Sequence, residues 1–305
     1  MEALPSPQQL RYLIALSELH HFGRAANACS VTQSTLSAGI LSLERQLNVS
    51  ILDRTAGKRV VFTPLGQEIA EQARIALQGL ETVREMVSFA HEPLSSSLRL
   101  GIIPTIAPYI LSFLVREIRK TYPKLTLTIQ EDITENLMEK LFIGYLDLLI
   151  IAMPCSCGGA DTYALYKDKF YLITPKGHVL ASLDRVSLHQ IDPKEIIMLQ
   201  DGHCLRDQTI DMCRQSQTMK AVNDFSNNFV ASSLDTVISM VEVGLGIAFI
   251  PEMVIRSGVI VNKDVAVCSL EGNPAWRTIG LAWRRNSLRS AEFKQFEKVF
   301  QKLKL

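Results

Sequence analysis

The sequence has few cysteines, no long apolar run and almost no net charge. Six cysteines in 305 residues are too few for a disulfide scaffold at this length, and a reducing compartment would keep them as thiols. No stretch approaches the ~20 apolar residues of a membrane span. The first residues, MEALPSPQQLRYLIAL, lack the basic segment and long apolar run of a signal peptide. We therefore expect a soluble, cytoplasmic protein with no membrane partner.

Net charge and glycine pattern say less about the class of protein than the features above. A formal net charge of +1 neither favours nor excludes a nucleic-acid partner, because such a contact can be local. The glycines in GLGIAFI precede a strand and are not followed by the helix start that a phosphate-binding loop needs. The sequence therefore predicts no nucleotide cofactor.

Length and periodicity predict about two domains, because 47% hydrophobic residues suffice for full-sized cores. HEPLSSS interrupts the periodic sequence near residues 92–97. Before it the patterns are helical apart from one short extended piece. After it, β-like runs such as LTLTI alternate with helical ones such as TENLMEKLFIGY, which predicts an α/β domain with a largely parallel sheet. We expect the chain to divide into residues 1–63, 64–92 and 93–305.

The first of these regions predicts a helix-turn-helix. RAANACS leads through Val31 into TQSTLSAGILSLERQL, and Thr32 is placed to cap the second helix. Ile40, Leu43 and Leu47 are expected to face the core. Small hydrogen-bonding side chains occupy the first turns, where a helix in the major groove reads base edges: Gln33, Ser34, Thr35 and Ser37. The same pattern also fits a capped amphipathic helix in any small bundle.

The segment ILDRTAGKRVVFT, which follows, indicates a strand, a glycine-containing turn and a second strand. Arg54, Lys58 and Arg59 lie around the tip. Such a wing would place cations beside DNA phosphates. The alternative is a hairpin whose charges only face solvent.

A long helix is predicted from Pro64 to about residue 92. Its apolar positions repeat at four-three spacing over three heptads: Ile69, Ala73, Ala76, Leu80, Val83, Val87 and Ala90. A seam of this length favours pairing with the same helix of a second copy of the chain. The two helix-turn-helix domains of such a dimer would match a two-fold DNA site. The alternative is that the seam packs within its own chain.

Two thiols lie close together in DGHCLRDQTIDMC. Cys204 lies between His203 and Arg206, which are placed to favour the reactive thiolate, and Cys213 follows nine positions later. If the segment is helical, nine positions correspond to roughly 13.5 Å along the axis. A disulfide needs Cα atoms within about 7 Å, so closing one would require rebuilding of residues 205–213. The alternative is a buried structural pair.

Cys155 and Cys157 form a single CxC in MPCSCGG. Without a second cysteine or histidine pair nearby, the motif does not predict a metal site. We expect mobile loop thiols, which would compete as disulfide partners.

FGRAANACSVTQSTLSAGILSLERQLNVSILDR, followed by TPLG and the long helix, resembles the LysR-type transcriptional regulators. The resemblance implies an N-terminal all-α winged helix-turn-helix with a long linker helix. It also implies a C-terminal α/β effector domain, periplasmic-binding-protein-like and with two subdomains. More narrowly, LGIIPTIAPYIL, MLQDGHCLRDQ, GLGIAFIP and RTIGLAWR resemble the peroxide-sensing OxyR branch.

That branch implies roles for the two thiols and their neighbours. Cys204 would be oxidised to sulfenic acid and Cys213 would resolve it as an intramolecular disulfide. The residues that would hold hydrogen peroxide, the effector, are Thr105, Thr134, His203, Arg206, Asp207, Gln208 and Arg277. The implied partners are double-stranded DNA, further copies of the chain in a homodimer or homotetramer, and RNA polymerase. No cofactor or metal is implied.

Two other functions fit parts of the same sequence. One is a LysR-type regulator that binds a small-molecule metabolite between the effector subdomains, with incidental cysteines. The other is a thiol peroxidase, which only the neighbourhood of Cys204 and His203 favours and which a DNA-binding head does not explain.

Overall fold

The computed structural model describes residues 4–53, 59–89, 94–155, 157–215, 229–272 and 276–302. The chain forms two compact units. The first comprises Met1–Glu92 with Phe142–Tyr145, and the second comprises Pro93–Leu141 with Leu146–Leu305. Among the described residues, no helix is both long and apolar enough to cross a membrane.

In its described part, the first unit contains four helices: α1 (Pro7–Leu19), α2 (Phe22–Ala28), α3 (Gln33–Leu47) and α4 (Pro64–Phe89). Side chains define where they begin. Thr32 caps α3, as predicted, by accepting a hydrogen bond from the Thr35 amide at 3.2 Å. His21 caps α2 through its Nδ1 atom, which accepts from two backbone amides. Ile40 and Leu43 are buried and Leu47 packs against the same core, so the predicted inner face of α3 is confirmed.

The wing is reduced to one antiparallel bridge, between Leu52 and Phe62, among the residues described there. The Glu44 carboxylate anchors its first arm by accepting from the amides of Ile51 and Leu52 at 2.8 and 3.1 Å. Gly66, in the TPLG segment, lies so close to the Ile51 carbonyl that a side chain would collide with it. The turn itself, with Arg54 and Lys58, lies outside the described residues.

The predicted seam of α4 divides into two parts. Ile69 and Ala73 pack into the core of their own unit. Farther along the helix, Leu80 is 52% exposed and Val83 is 62% exposed. Ala76 is also exposed, whereas the side chain of Val87 and all of Ala90 lie outside the described part of the chain. Packing within the chain therefore accounts only for the start of the seam.

Over its described ranges, the second unit contains a sheet of eight strands with helices around it. The strands are β1 (Ser97–Ile102), β2 (Thr126–Glu131), β3 (Leu148–Met153), β4 (Ala160–Pro175), β5 (Arg185–Val186), β8 (Ala248–Pro251), β9 (Val265–Leu270) and β10 (Trp276–Arg284); β6 (Met198–Leu199) and β7 (Val230–Ala231) form a separate pair. The helices are α5 (Ala107–Thr121), α6 (Thr134–Phe142), α7 (Cys204–Gln215), α8 (Leu234–Glu242), α9 (Glu252–Arg256), α10 (Ser290–Lys294) and α11 (Glu297–Phe300).

The sheet is mixed, which corrects the prediction of a largely parallel one. Its order is β2-β1-β3-β10-β4-β9-β5, with β8 also paired to β4. The β1–β2 and β1–β3 pairs are parallel, as the alternating sequence indicated. β10 returns from the end of the chain and lies antiparallel between β3 and β4. Because this pairing joins distant parts of the sequence, local alternation does not reveal it.

The long strand β4 connects two subdomains. Its first part pairs with β10, and its last part, from Phe170 onward, pairs with β8 and β9. β3, β1 and β2 continue the sheet beyond β10. α7 packs against β6, and α8 packs against β4, β6 and β7. One apolar cluster, from Leu98 in β1 to Phe300 in α11, fills the interior of both subdomains.

Candidate functional site

The two threonines of the predicted site lie at one edge of the sheet. Thr105 follows β1 and Thr134 follows β2, and these strands are parallel neighbours. The carboxyl ends of parallel strands meet at the same edge, where ligands of α/β proteins commonly bind. The parallel pairing of β1 and β2 therefore places both hydroxyls at this edge.

Cys204 is the first residue of α7, and its sulfur lies 3.0 Å from the Thr134 hydroxyl. Either group is able to donate this hydrogen bond. Thr134 is itself the first residue of α6, so two helix N-termini meet at the thiol. The partial positive charge of a helix N-terminus favours an anion, and a reactive cysteine acts as its thiolate.

His203 and Arg206, which flank the thiol in the sequence, have different surroundings. His203 is buried, and burial lowers the pKa of its imidazole, which leaves it uncharged at neutral pH. The Arg206 guanidinium donates to the Leu199 carbonyl at 3.0 Å and pairs with Asp201 at 2.8 Å. Arg206 thus braces the turn before α7. The sequence hypothesis gave His203 a role in favouring the anion, and an uncharged imidazole would contribute to it through hydrogen bonding.

Asp207 and Gln208 lie in the first turns of α7. Asp207 is exposed. Gln208 is half-buried, and neither polar atom of its amide has a hydrogen-bond partner within the described residues, although both atoms are shielded from solvent. It lies four positions after Cys204, on the same face of the helix. Because an unpartnered buried amide is costly, this side chain is suited to a small polar ligand beside the thiol.

Arg277 joins Thr105 to a residue that the sequence analysis missed. Its Nε donates to Asp168 at 2.9 Å in an ion pair whose side chains are 0% and 1% exposed. Its Nη1 and Nη2 donate to the Thr105 hydroxyl and carbonyl at 2.9 and 3.0 Å. Since the Thr105 hydroxyl accepts from Arg277, its own proton remains for another acceptor. Within the described residues, no hydrogen bond joins the Thr105–Arg277 pair to the Thr134–Cys204 pair.

Asp168 is held by a second contact, because its other oxygen accepts from the Met253 amide at 3.0 Å. Burial raises the pKa of its carboxyl, and Arg277 opposes that shift. The alternation of exposed and buried residues along β4 could have identified Asp168 from the sequence. Lys167 and Lys169 are exposed, whereas Asp168 and Phe170 point inward, so an acidic residue stands where the period of two places a buried one.

Cys213 lies on α7 as a buried thiol. Burial raises its pKa to about 11. The expected helix between the two cysteines is confirmed, since α7 runs from Cys204 to Gln215 without interruption. Nine helical positions separate the sulfur-bearing residues by roughly 13.5 Å along the axis, which is too far for a disulfide.

Cys155 and Cys157 are bonded to each other. This corrects the expectation of two loop thiols that compete for Cys204 or Cys213. The Cys157 amide donates to the Cys155 carbonyl, and the Cys157 carbonyl accepts from the Ala160 amide. These bonds form a turn between β3 and β4 that holds the two cysteines close together.

A cavity of about 320 Å³ lies beside His203. Tyr109, Asp132 and Asp235 also line it. The Tyr109 hydroxyl contacts Asp235 at 3.0 Å, and Asp132 pairs with Lys140 at 2.6 Å. The described residues contain no cluster of three or more acidic, cysteine or histidine side chains arranged for a metal.

The polar start of α3 is exposed in the first unit: Gln33, Ser34, Thr35 and Ser37. The hydroxyls of Ser34 and Thr35 lie 2.9 and 2.8 Å from that of the cap, Thr32. Gln33 and Ser37 project from the same turns of the helix. Arg59, at the described end of the wing, is also exposed.

Comparison with known proteins identifies both units. Residues 7–67 match the family "Bacterial regulatory helix-turn-helix protein, lysR family", and residues 91–303 match the LysR substrate binding domain. HTH-type transcriptional regulator EstR of Acinetobacter baylyi is 38% identical, over 96% of this chain and 95% of that protein. DNA-binding transcriptional dual regulator OxyR of Escherichia coli is 33% identical, over 96% and 94%. A full-length OxyR variant of Pseudomonas aeruginosa has a similar structure, with a TM-score of 0.80, 30% identity, and coverage of 98% and 95%.

Proposed function

Because this chain belongs to the LysR family of bacterial transcriptional regulators, we propose that it is a DNA-binding regulator switched by hydrogen peroxide through reversible oxidation of Cys204. The LysR resemblance seen in the sequence is confirmed, and so is its likeness to OxyR peroxide sensors. The observation that carries the peroxide assignment is the 3.0 Å contact between the Thr134 hydroxyl and the Cys204 sulfur at the start of α7.

In the first step the Cys204 thiolate attacks one oxygen of hydrogen peroxide. The O–O bond breaks, the other oxygen leaves as hydroxide and takes a proton to become water, and Cys204 becomes a sulfenic acid. Thr134 supports this step as the hydroxyl nearest the sulfur. Thr105, oriented by Arg277, and the unpartnered Gln208 amide are the further groups that we assign to holding peroxide, together with His203, Arg206 and Asp207.

In the second step the Cys213 sulfur attacks the sulfenic sulfur, and water leaves as the disulfide forms. Buried Cys213 stays protonated in the intact helix because its pKa is raised to about 11. The step therefore requires residues 205–213 to leave the helix, which both shortens the distance and exposes the thiol. This discrete rebuilding is the change that we propose to reposition the DNA-binding heads.

The remaining assignments concern DNA and assembly. We assign residues 1–63 to the DNA-binding domain, 64–92 to a linker helix that pairs two copies, and 93–305 to the redox-sensing effector domain. Gln33, Ser34, Thr35 and Ser37 would read bases, and Arg54, Lys58 and Arg59 would contact phosphates. The regulator would act in the cytoplasm as a homodimer or homotetramer, with RNA polymerase as a further partner.

The peroxide proposal is tested through the different roles that it gives to Cys204 and Cys213. Cys204→Ser should abolish the rapid reaction with peroxide. Cys213→Ser should consume one peroxide and accumulate sulfenic acid, which dimedone labels at Cys204. The wild type should give a Cys204–Cys213 disulfide that dithiothreitol reverses. If peroxide switched DNA binding while peptide mapping found Cys204 still reduced, the proposal would be wrong.

A metabolite-responsive regulator is the second candidate, and two observations favour it. HTH-type transcriptional regulator EstR of Acinetobacter baylyi, whose name does not mention peroxide, is 38% identical. The cavity of about 320 Å³ beside His203 has room for a small ligand. Native mass spectrometry of the reduced protein would distinguish the candidates, because only this one expects a retained metabolite. A thiol peroxidase is disfavoured because the LysR family consists of transcription regulators rather than enzymes.

A further inference from the structure

The connection between β3 and β4 carries the Cys155–Cys157 disulfide, whose Cα atoms lie 5.2 Å apart. The Cys157 amide donates to the Cys155 carbonyl at 2.8 Å. Both side chains pack against the core at one side, while Pro154 and Gly158 beside them are exposed. We propose that this pair is a second redox couple, which exchanges electrons with dithiol–disulfide couples and does not depend on peroxide chemistry at Cys204.

The bond is poorly suited to a structural role. The stabilisation that a disulfide gives through loop-closure entropy grows with the number of residues it encloses, and these cysteines are only two positions apart. The strands on either side are already held, because β3 and β4 both pair with β10. Opening the bond therefore leaves the sheet anchored at both ends of the connection.

The bond is also easy to form again. The two Cα atoms already lie within the distance of about 7 Å that a disulfide requires, so reduction and oxidation need only a local adjustment of the turn. The Cys204–Cys213 pair differs, because a helix holds its members apart. The couple at Cys155 and Cys157 can therefore follow the surrounding ratio of dithiol to disulfide without rebuilding any helix.

The exchange is balanced in thiols and electrons. A thiolate of the reducing dithiol attacks one sulfur of the pair, the protein S–S bond breaks, and the other cysteine leaves as a thiolate that takes up a proton. The second thiol of the reductant then attacks the mixed disulfide and releases the remaining protein thiol. The protein gains two electrons and two protons, and the dithiol becomes a disulfide. The reverse sequence restores the Cys155–Cys157 bond.

The test uses the full chain with Cys204→Ser and Cys213→Ser, in which the other redox pair is absent. The protein is equilibrated against mixtures of reduced and oxidised dithiothreitol, trapped with a maleimide and mapped by peptide mass. The ratio of disulfide to dithiol at residues 155 and 157 should rise tenfold for each tenfold rise in the ratio of oxidised to reduced reagent, from either direction. Adding Cys155→Ser to this background should remove the titration, so that Cys157 is labelled at every ratio, like Cys29 and Cys268.

Three outcomes would overturn the proposal. One is a bond that resists dithiothreitol until the protein is unfolded, and another is a pair that stays reduced at every ratio. The third is loss of hydrogen-exchange protection in β3, β4 and β10 on reduction, since this would show that the bond holds the sheet. Because Cys204 is absent from the tested protein, none of these results depends on the peroxide proposal.

Discussion

The Thr134 hydroxyl and the Cys204 sulfur lie 3.0 Å apart although 70 positions separate them in the chain. Each belongs to the first residue of its helix. The contact therefore places a neutral hydrogen-bonding group, together with two helix N-termini, at the sulfur proposed to react. Its removal is the most direct way to probe the reaction.

Thr134→Val should slow sulfenic acid formation at Cys204. A hydrogen bond to an ionised group contributes ~1.5–3 kcal/mol, so the rate constant should fall by roughly 10- to 100-fold. Stopped-flow measurement in the Cys213→Ser background isolates this step. Thr134→Ser keeps the hydroxyl and should stay close to wild type, and equal rates for the Val and Ser variants would remove Thr134 from the reaction.

Asp168→Asn should destabilise the reduced protein by ~3–5 kcal/mol, because it leaves the Arg277 charge buried without its partner. Urea unfolding measures this loss of free energy. Asp161→Asn, a half-buried position on the same strand, is the matched control and should cost less than about 1 kcal/mol. A small effect at Asp168 would mean that Arg277 does not need the carboxylate to stay in place.

Buried Cys213 predicts a pH dependence of stability. Its pKa is raised from 9.0 to about 11 in the folded protein, so folding favours the protonated thiol. This contribution, at most about 2.7 kcal/mol, is fully present below the unfolded pKa and is lost as pH rises from about 9 through about 11. Under reducing conditions, Cys213→Ala should flatten the fall in unfolding free energy across this range. If the free energy of unfolding fell equally with pH in the wild type and in Cys213→Ala, the raised pKa of the Cys213 thiol would be contradicted.

Substitutions at the two proposed DNA contacts should differ in kind. Gln33→Ala should relax sequence preference by ~1–3 kcal/mol, because it removes a proposed base contact. Arg59→Ala should weaken binding to all sequences and reduce the salt slope by about one. Fluorescence anisotropy with an operator and a scrambled duplex measures both. Equal losses on the two duplexes for Gln33→Ala would count against base reading by α3.

Leu80→Lys should weaken self-association, because it puts a charge on the exposed part of the α4 seam. Sedimentation at low micromolar concentration measures the effect. Gln67→Lys adds the same charge at an exposed position of α4 outside the seam and should leave the assembly unchanged. A Leu80→Lys protein that stays fully dimeric would assign association to other surfaces.

The sequence by itself determined the features that depend on neighbours along the chain. Thr32 before an amphipathic run was sufficient to place the start of α3, because a cap acts within one turn. The apolar repeat predicted α4, and the hypothesis of a helix between Cys204 and Cys213 is confirmed. The quoted motifs were sufficient to identify the LysR family.

Only the tertiary structure decided how distant residues meet and which charges they carry. Asp168, Arg277 and Thr105 come together because β10 inserts beside β4, a pairing across more than 100 positions that local periodicity does not encode. Burial lowers the pKa of the His203 imidazole. The fold also places Arg206 in an ion pair with Asp201. Charge states and contacts of this kind depend on desolvation and on distance through space, whereas caps and periodic patterns depend only on position along the chain.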